Sequence, residues 1–254
     1  MPSLEVVRAE LNAAVASAEP GLPAANELCL ACEALFDVDG AAVSMVFDGS
    51  TRGTFGSSNE ISRRVDEYQF TFGEGPCLDA AATGRAVLAP DLDSVREVRW
   101  PGFVGAALGD GIRSVFAVPI NITSVSVGAL DLFRTRPGPL ADEQLAGALM
   151  AAELASLTLL DSLASDAGVG DVDSRLMAEG EDAAWGRLAE IDRIEVYQAT
   201  GMLIAQLDVD AAEALVRLRG HAIATGQTAS EVAWAIVERR LVLPRDDDDD
   251  GTPR

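Results

Sequence analysis

Residues Gly73–Leu92, GEGPCLDAAATGRAVLAPDL, hold a turn, a helix, a stop and a strand in one short run. Gly73, Gly75 and Pro76 open it as a turn, and Leu78 to Thr83 form a short helix. Gly84 stops that helix, and the apolar AVLA that follows reads as a strand. A strand so close behind a helix places the run in a mixed α and β architecture.

The flanks agree. Upstream, Leu4, Val7, Leu11 and Val15 recur at three- and four-residue steps and give a helix over 3–18. GLP at 21–23 breaks it, and a second helix, 24–36, carries Leu28, Cys32 and Leu35 on one face. AAVSMVFDGS (41–50) alternates Val43, Met45 and Phe47 as a strand ending in a turn, with TRGTFGSS as its partner. Downstream, REVRWPGFVGAALGDG gives a short helix and a turn. RSVFAVPI and SVGALDLFRTR are strands joined through NITS as a hairpin, and residues 140–164 form one long helix. The order of elements over residues 22–164 gives an α+β or mixed sheet with helices on one face or both, preceded by residues 1–21 as an N-terminal helix.

SDAGVGDVDSRLMAEGEDAA (165–184) is rich in glycine and acid and reads as a linker. From Trp185 the pattern is helical throughout. Leu188, Ile191, Ala199, Met202 and Leu203 fall on one side of a helix over 185–207. Asp210 and Glu213 stand at capping-box spacing, as do Thr228 and Glu231. Gly226 stops the middle helix and Pro244 ends the third. Leu215, Leu218 and Ala222 mark one buried face, and Val232, Ile236 and Val237 another. Residues 185–245 thus form a small all-α three-helix bundle near the lower size limit for a stable core. Residues 246–254 are an acidic tail with the character of a solubilising end.

Charge is spread unevenly. The 254 residues carry a formal net charge of −22, and every basic residue is arginine. Residues 1–184 hold 28 acidic and 11 basic side chains, whereas 185–245 hold 8 and 7. So negative a surface repels phosphate backbones and anionic membranes within a Debye length, roughly 8 Å at physiological salt. Any nucleic acid is therefore met through residues 185–245. No signal peptide, lipidation pattern or apolar run long enough for a membrane span is read from the sequence. Three cysteines without export signals fit a reducing cytoplasm.

With these residues in place, two resemblances stand out. GEGPCLDAAATGRAVLAPDL, GIRSVFAVPI and VGALDLFRTRPGPLADEQL occur in the order and spacing of a GAF domain. That resemblance implies a central antiparallel sheet with helices packed on it and a small-molecule pocket, a sensor more often than a catalyst. RIEVYQATGMLIAQLDVDAAEALVRLRGHAIATGQTASEVAWAIVERRL resembles an ANTAR domain, the three-helix RNA-binding module of bacterial antitermination regulators, here of the actinobacterial type. The family positions fall on Arg193, Gln198, Ala199, Gly201, Leu203, Glu213, Ala214, Leu218, Arg219, Val232 and Ala233, with the isoleucine displaced to Ile194. Thr200 replaces a lysine frequent in the family and removes a phosphate contact the resemblance implies.

The resemblance and the residues together name an RNA-binding set: Arg193, Gln198, Thr200, Gly201, Arg217, Arg219 and His221. RNA loops offer splayed bases, and Gly201 among Gln198 and Thr200 would let a loop approach closely. Glycine in mid-helix costs about 1 kcal/mol against alanine, and tight packing of two helices is an equally open reason for it. Arg217 and Arg219 lie two apart and cannot share one narrow face. Arg219 holds the family position, although a solvated arginine or a pair with Glu213 or Glu231 is as common. His221 either stacks on a base or is an ordinary surface histidine. Arg239 and Arg240 reach phosphate or only favour a helix C-terminus.

With so few arginines the phosphate contribution is small, so two copies engaging two RNA stem-loops are expected to bind where one binds weakly. Leu145, Leu149, Leu154 and Leu157 offer surface for a homodimer or belong to the sensor core. The sensor pocket is expected between strands 41–49 and 113–134 and segment 70–90, with no cofactor and no ligand named. The sole histidine lies outside the sensor, which leaves no Ser-His-Asp triad and no haem ligand there. Cys29 and Cys32 have redox spacing inside an apolar helix and read as core cysteines. The chain is accordingly read as a non-enzymatic cytoplasmic regulator of transcription antitermination. Two alternatives remain: a GAF-scaffold free methionine sulfoxide reductase working through Cys77, and a DNA-binding helix-turn-helix protein.

Overall fold

The structure is a computed structural model that describes residues 2–47, 49–123, 125–166 and 193–244. These form two compact units divided between residues 192 and 193. The expected linker beyond residue 166, residues 185–192 of the expected helix and the acidic tail lie outside the described residues.

The first unit runs α1 (Leu4–Ala16), α2 (Leu22–Phe36), β1 (Gly40–Phe47), β2 (Ser50–Ser57), α3 (Glu60–Phe72), α4 (Pro76–Thr83), β3 (Val87–Ala89), α5 (Pro101–Gly109), β4 (Ser114–Ile122), β5 (Val125–Arg134) and α6 (Asp142–Asp166). Its five strands lie in the order β2-β1-β5-β4-β3, every neighbouring pair antiparallel. Residues alternate between the faces. Ala41, Val43, Met45, Phe116, Val118, Ile120, Leu130 and Leu132 bury one face beneath α1, α2 and α6. Gly56 is fixed by this packing, because a Cβ there would lie 2.7 Å from the Ala25 backbone. Helix α6 is long and apolar enough over Asp142–Ser162 to cross a membrane by length and composition, a property the sequence reading did not assign. Here it packs on the sheet: Leu145 and Leu154 turn to the core, while Leu149 and Leu157 face outward.

The other face differs in kind. Ala42, Ser44, Ala117, Ala129 and Asp131 occupy its centre, and α3, α4 and α5 cover it. Helix α3 is absent from the sequence reading. Asn59 caps it, the side chain accepting from the Ser62 amide at 2.9 Å, and Gly73 ends it in the left-handed region. Its buried residues are Ser62, Val65, Asp66, Gln69, Phe70 and Thr71, so its inner face is largely polar, although Ile61, Val65, Tyr68 and Phe72 recur at three- and four-residue steps. The GEGP turn joins the helices: Glu74 Oε1 accepts from the Gly102 and Phe103 amides at 2.6 and 3.2 Å, capping α5. Asp79 on α4 accepts from Trp100 Nε1 at 3.0 Å.

The second unit consists of α7 (Ile194–Leu207), α8 (Ala211–Thr225) and α9 (Ala229–Val237). Val196, Ala199, Leu203, Ala214, Leu218, Ala222, Val232, Ala233 and Ile236 form its core. A core so rich in alanine is thin, which gives the caps weight. Asp210 accepts from the Glu213 amide at 2.8 Å, Gly226 ends α8 in the left-handed region, and Thr228 and Glu231 form a reciprocal capping box. Thr228→Ala is expected to destabilise this unit by about 1 kcal/mol, read as faster amide hydrogen exchange across α9; unchanged exchange would deny the cap that role.

Candidate functional site

On the second unit, Gly201 is exposed in the middle of α7, and a Cβ placed there would meet nothing within 4 Å. Packing among the described residues therefore gives no reason for this glycine. Ile194, Tyr197 and Ile204 surround it at three- and four-residue steps and are 51%, 50% and 36% exposed. Gln198 is exposed beside them. The outer face of α7 is thus an apolar and aromatic strip with an open glycine at its centre. Trp234 on α9 is a second half-exposed aromatic. Neither Tyr197 nor Trp234 stands in the sequence-based set, although an aromatic one turn from a mid-helix glycine was a visible signal.

The remaining named residues divide. Arg193 precedes α7 and is only 6% exposed, so it lies beneath the surface. Arg219 on α8 is half-buried, and burial together with the charge of Arg193 holds its guanidinium below the usual arginine range. The fold therefore brings Arg193 and Arg219, far apart in sequence, into one another's field. Arg217 sits on the other flank of α8 and donates to Glu213 Oε1 at 2.6 Å, one turn away. His221, half-buried, lies on the Arg217 flank. Thr200 is half-buried and donates its hydroxyl to the Val196 carbonyl at 2.7 Å, back into its own helix. Arg240 pairs with Glu238, and Arg239 is exposed with φ 59°.

In the first unit, the small-residue face of the sheet holds a buried polar cluster. Asp131 Oδ2 accepts from Gln69 Nε2 at 2.9 Å and from Ser44 Oγ at 3.2 Å. The Cys77 thiol also hydrogen-bonds this carboxyl. Gln69 is oriented in turn, its Oε1 accepting from the Cys77 amide at 2.7 Å. Asp66, fully buried, accepts from Thr54 Oγ1 at 2.7 Å. Burial pushes the Asp131 carboxyl up to about 7; the Gln69 hydrogen bond opposes the rise, and the nearby Asp66 adds to it. Burial likewise pushes the Cys77 thiol up, with the charges of Asp131 and Asp66 adding to it. Cys29 and Cys32 lie buried in the opposite core, where burial pushes Cys29 up to about 12 and Cys32 up as well. The cluster falls within the region expected for the pocket, except that Asp66 and Gln69 come from α3, just outside segment 70–90.

An α+β domain and a capped helical bundle that match the GAF and ANTAR families in this order support a signal-sensing regulator. The chain belongs to the GAF family: the family described as GAF_2: GAF domain matches residues 24–160, and an ANTAR domain matches residues 186–237. A comparison with curated proteins finds no match. Among solved structures, the GAF domain of a phosphoenolpyruvate-protein phosphotransferase from Coxiella burnetii is similar at 14% identity and TM-score 0.52, covering 65% of this chain and 97% of that one. The corresponding Acinetobacter GAF domain is similar at 11% identity and TM-score 0.52, covering 66% and 100%. At such identities the likeness shows the fold alone.

Proposed function

We propose that the ANTAR bundle binds RNA hairpin loops and that the chain regulates transcription termination in the cytoplasm, its GAF domain receiving a small-molecule signal. The observation that carries this reading is Gly201. A mid-helix glycine with open space above it, ringed by Tyr197, Ile194, Ile204 and Gln198, is a place for close approach from outside the bundle. Base stacking on an aromatic such as Tyr197 contributes about 1–3 kcal/mol per base without needing a strongly basic surface, which suits a segment so nearly neutral. Arg219 supplies the charge in this reading, Arg193 supports it from below, and Gln198 reads a base edge. Thr200, its hydroxyl committed to Val196, contributes shape. Two copies on two stem-loops raise affinity without new contacts.

The test compares binding of the full-length protein to paired RNA hairpins and to duplex DNA at several salt concentrations. Preference for the hairpins is expected; equal or tighter binding to duplex DNA would favour the helix-turn-helix reading and end this one. Gly201→Ala should stabilise the bundle by about 0.5–1 kcal/mol while weakening hairpin binding several-fold, because its methyl group stands where the RNA comes close. Unaltered binding would remove Gly201 from the interface.

The regulatory reading is preferred to the reductase because Cys77 is fully buried and its thiol is held protonated, whereas a nucleophilic cysteine works as thiolate. Turnover of free methionine sulfoxide, lost in Cys77→Ala, would reverse that preference.

A further inference from the structure

The buried cluster on the small-residue face leaves one acceptor open. Asp131 is 2% exposed; the Gln69 and Ser44 hydrogen bonds both reach Oδ2, and Oδ1 is buried without a hydrogen-bond partner among the described residues. A buried carboxylate oxygen left unmatched costs several times what an ordinary hydrogen bond contributes. Gln69, Ser44, Cys77 and Asp66 all act on this carboxyl, and none of them brings positive charge. Asp66 adds negative charge to the same buried region. The place therefore disfavours phosphates and carboxylates; a neutral donor can match Oδ1, but only a cationic one also balances the carboxylate charge.

The side chains around it are small. Ala42 and Ala117 stand opposite Asp131 on the neighbouring strands, Ala129 and Ser44 follow one pair along, and Ala80 reaches the same face from α4. The other face of the same sheet is lined with Phe, Leu, Ile, Val and Met. Helix α4 packs over this region, is eight residues long, and has positive-φ glycines at both ends, Gly75 and Gly84. It is the element whose displacement would admit a ligand.

We infer that Asp131 Oδ1 is the recognition atom of the sensor site and that the ligand it takes presents a small protonated nitrogen, an ammonium or amidinium head, to it. This rests on reading the GAF domain as a small-molecule sensor. The ligand's N–H groups donate to Oδ1, its charge offsets that of Asp131, and Gln69 and Ser44 hold the carboxyl in place from the Oδ2 side. Selectivity follows from charge and size: anionic ligands are repelled, and the alanine walls fit a compact head.

The experiment follows thermal unfolding of the full-length protein at pH 8, above the raised Asp131 value, in ammonium, methylammonium and guanidinium chlorides at matched ionic strength. Potassium chloride is the ionic control, acetamide and urea are the neutral counterparts, and potassium acetate is the anion. At least one nitrogen cation should raise the first unit's transition relative to potassium chloride, by roughly 5 °C at a hundredfold excess over its Kd. Asp131→Asn should abolish that rise. Ala129→Val, which narrows the wall and keeps the charge, should also abolish it and serves if Asp131→Asn does not fold. The inference is overturned if no cation raises the transition, if acetamide or urea acts equally well, or if the rise survives in Asp131→Asn. A rise produced by acetamide, urea or acetate and indifferent to Asp131 would overturn the cation assignment while leaving the sensor reading in place.

Discussion

Asp131→Asn is expected to make the first unit more resistant to urea than the wild type at pH 8, with the advantage vanishing towards pH 4. The reason is the carboxyl's position, buried on the central strand β5 and pushed from 3.8 up to about 7. A raised carboxyl means that the folded state keeps a proton the unfolded chain releases. Its contribution to stability is complete below about 4 and is lost as the pH rises through about 7. Each tenfold difference in proton affinity between the folded and unfolded states corresponds to about 1.4 kcal/mol, so the wild type loses on the order of 4 kcal/mol by pH 8. Asparagine never ionises and still offers an oxygen to Gln69 and Ser44. Its NH2 then occupies the place of Oδ1, where a buried donor without an acceptor costs about 1–3 kcal/mol. The balance is a gain of about 1–3 kcal/mol at pH 8 and a small loss near pH 4. Urea midpoints of both proteins at pH 4, 6 and 8 decide it; parallel curves would mean that Asp131 does not titrate between these values. Both proteins carry the same remaining acidic surface, so the difference between them isolates this one group.

That this carboxyl matters is hard to see in the sequence, and the reason is physical. SVGALDLFRTR reads correctly as a strand, and Asp131 takes its inward place by simple alternation. Nothing in that strand tells that its partners come from 62 and 87 residues away, Gln69 and Ser44. Helix α3 is a different case: Ile61, Val65, Tyr68 and Phe72 recur at helical steps and were a visible signal, but nothing in the sequence tells that Ser62, Asp66, Gln69 and Thr71 are buried with them. Local chemistry was legible. The Thr228–Glu231 box, the Asp210 cap and the stops at Gly84 and Gly226 are each formed by side chains or dihedrals within a few residues. The outer face of α7 lay in between. Gly201 is visible as a mid-helix glycine, but only the empty space above it removes the packing explanation. The spacing of Arg217 and Arg219 shows that they diverge, and only the fold shows which one meets Arg193.

That divergence separates the two arginines by experiment. Arg219→Gln is expected to weaken hairpin RNA binding by roughly tenfold or more, a loss within the 1–3 kcal/mol of a specific arginine contact. Arg217→Gln is expected to change it by less than about threefold, because Arg217 already pairs with Glu213 one turn away and part of its charge is answered within the helix. Arg219 lies instead on the flank of α8 that meets the Arg193 charge. It is half-buried, and burial and the Arg193 charge both disfavour its charged form. An RNA phosphate or a guanine edge there meets a guanidinium partly shielded from water, so the contact is worth more than one to a fully solvated arginine. Arg193, beneath the surface, acts through Arg219 and not on the RNA itself. Arg193→Gln should therefore weaken binding less than Arg219→Gln, and the double variant should bind no worse than Arg219→Gln alone. Removing Arg219 should also reduce the slope of log affinity against log salt by about one if its partner is a phosphate. Equal losses for Arg217→Gln and Arg219→Gln would show that the RNA responds only to net charge, and the oriented interface on α7 and α8 would have to be given up.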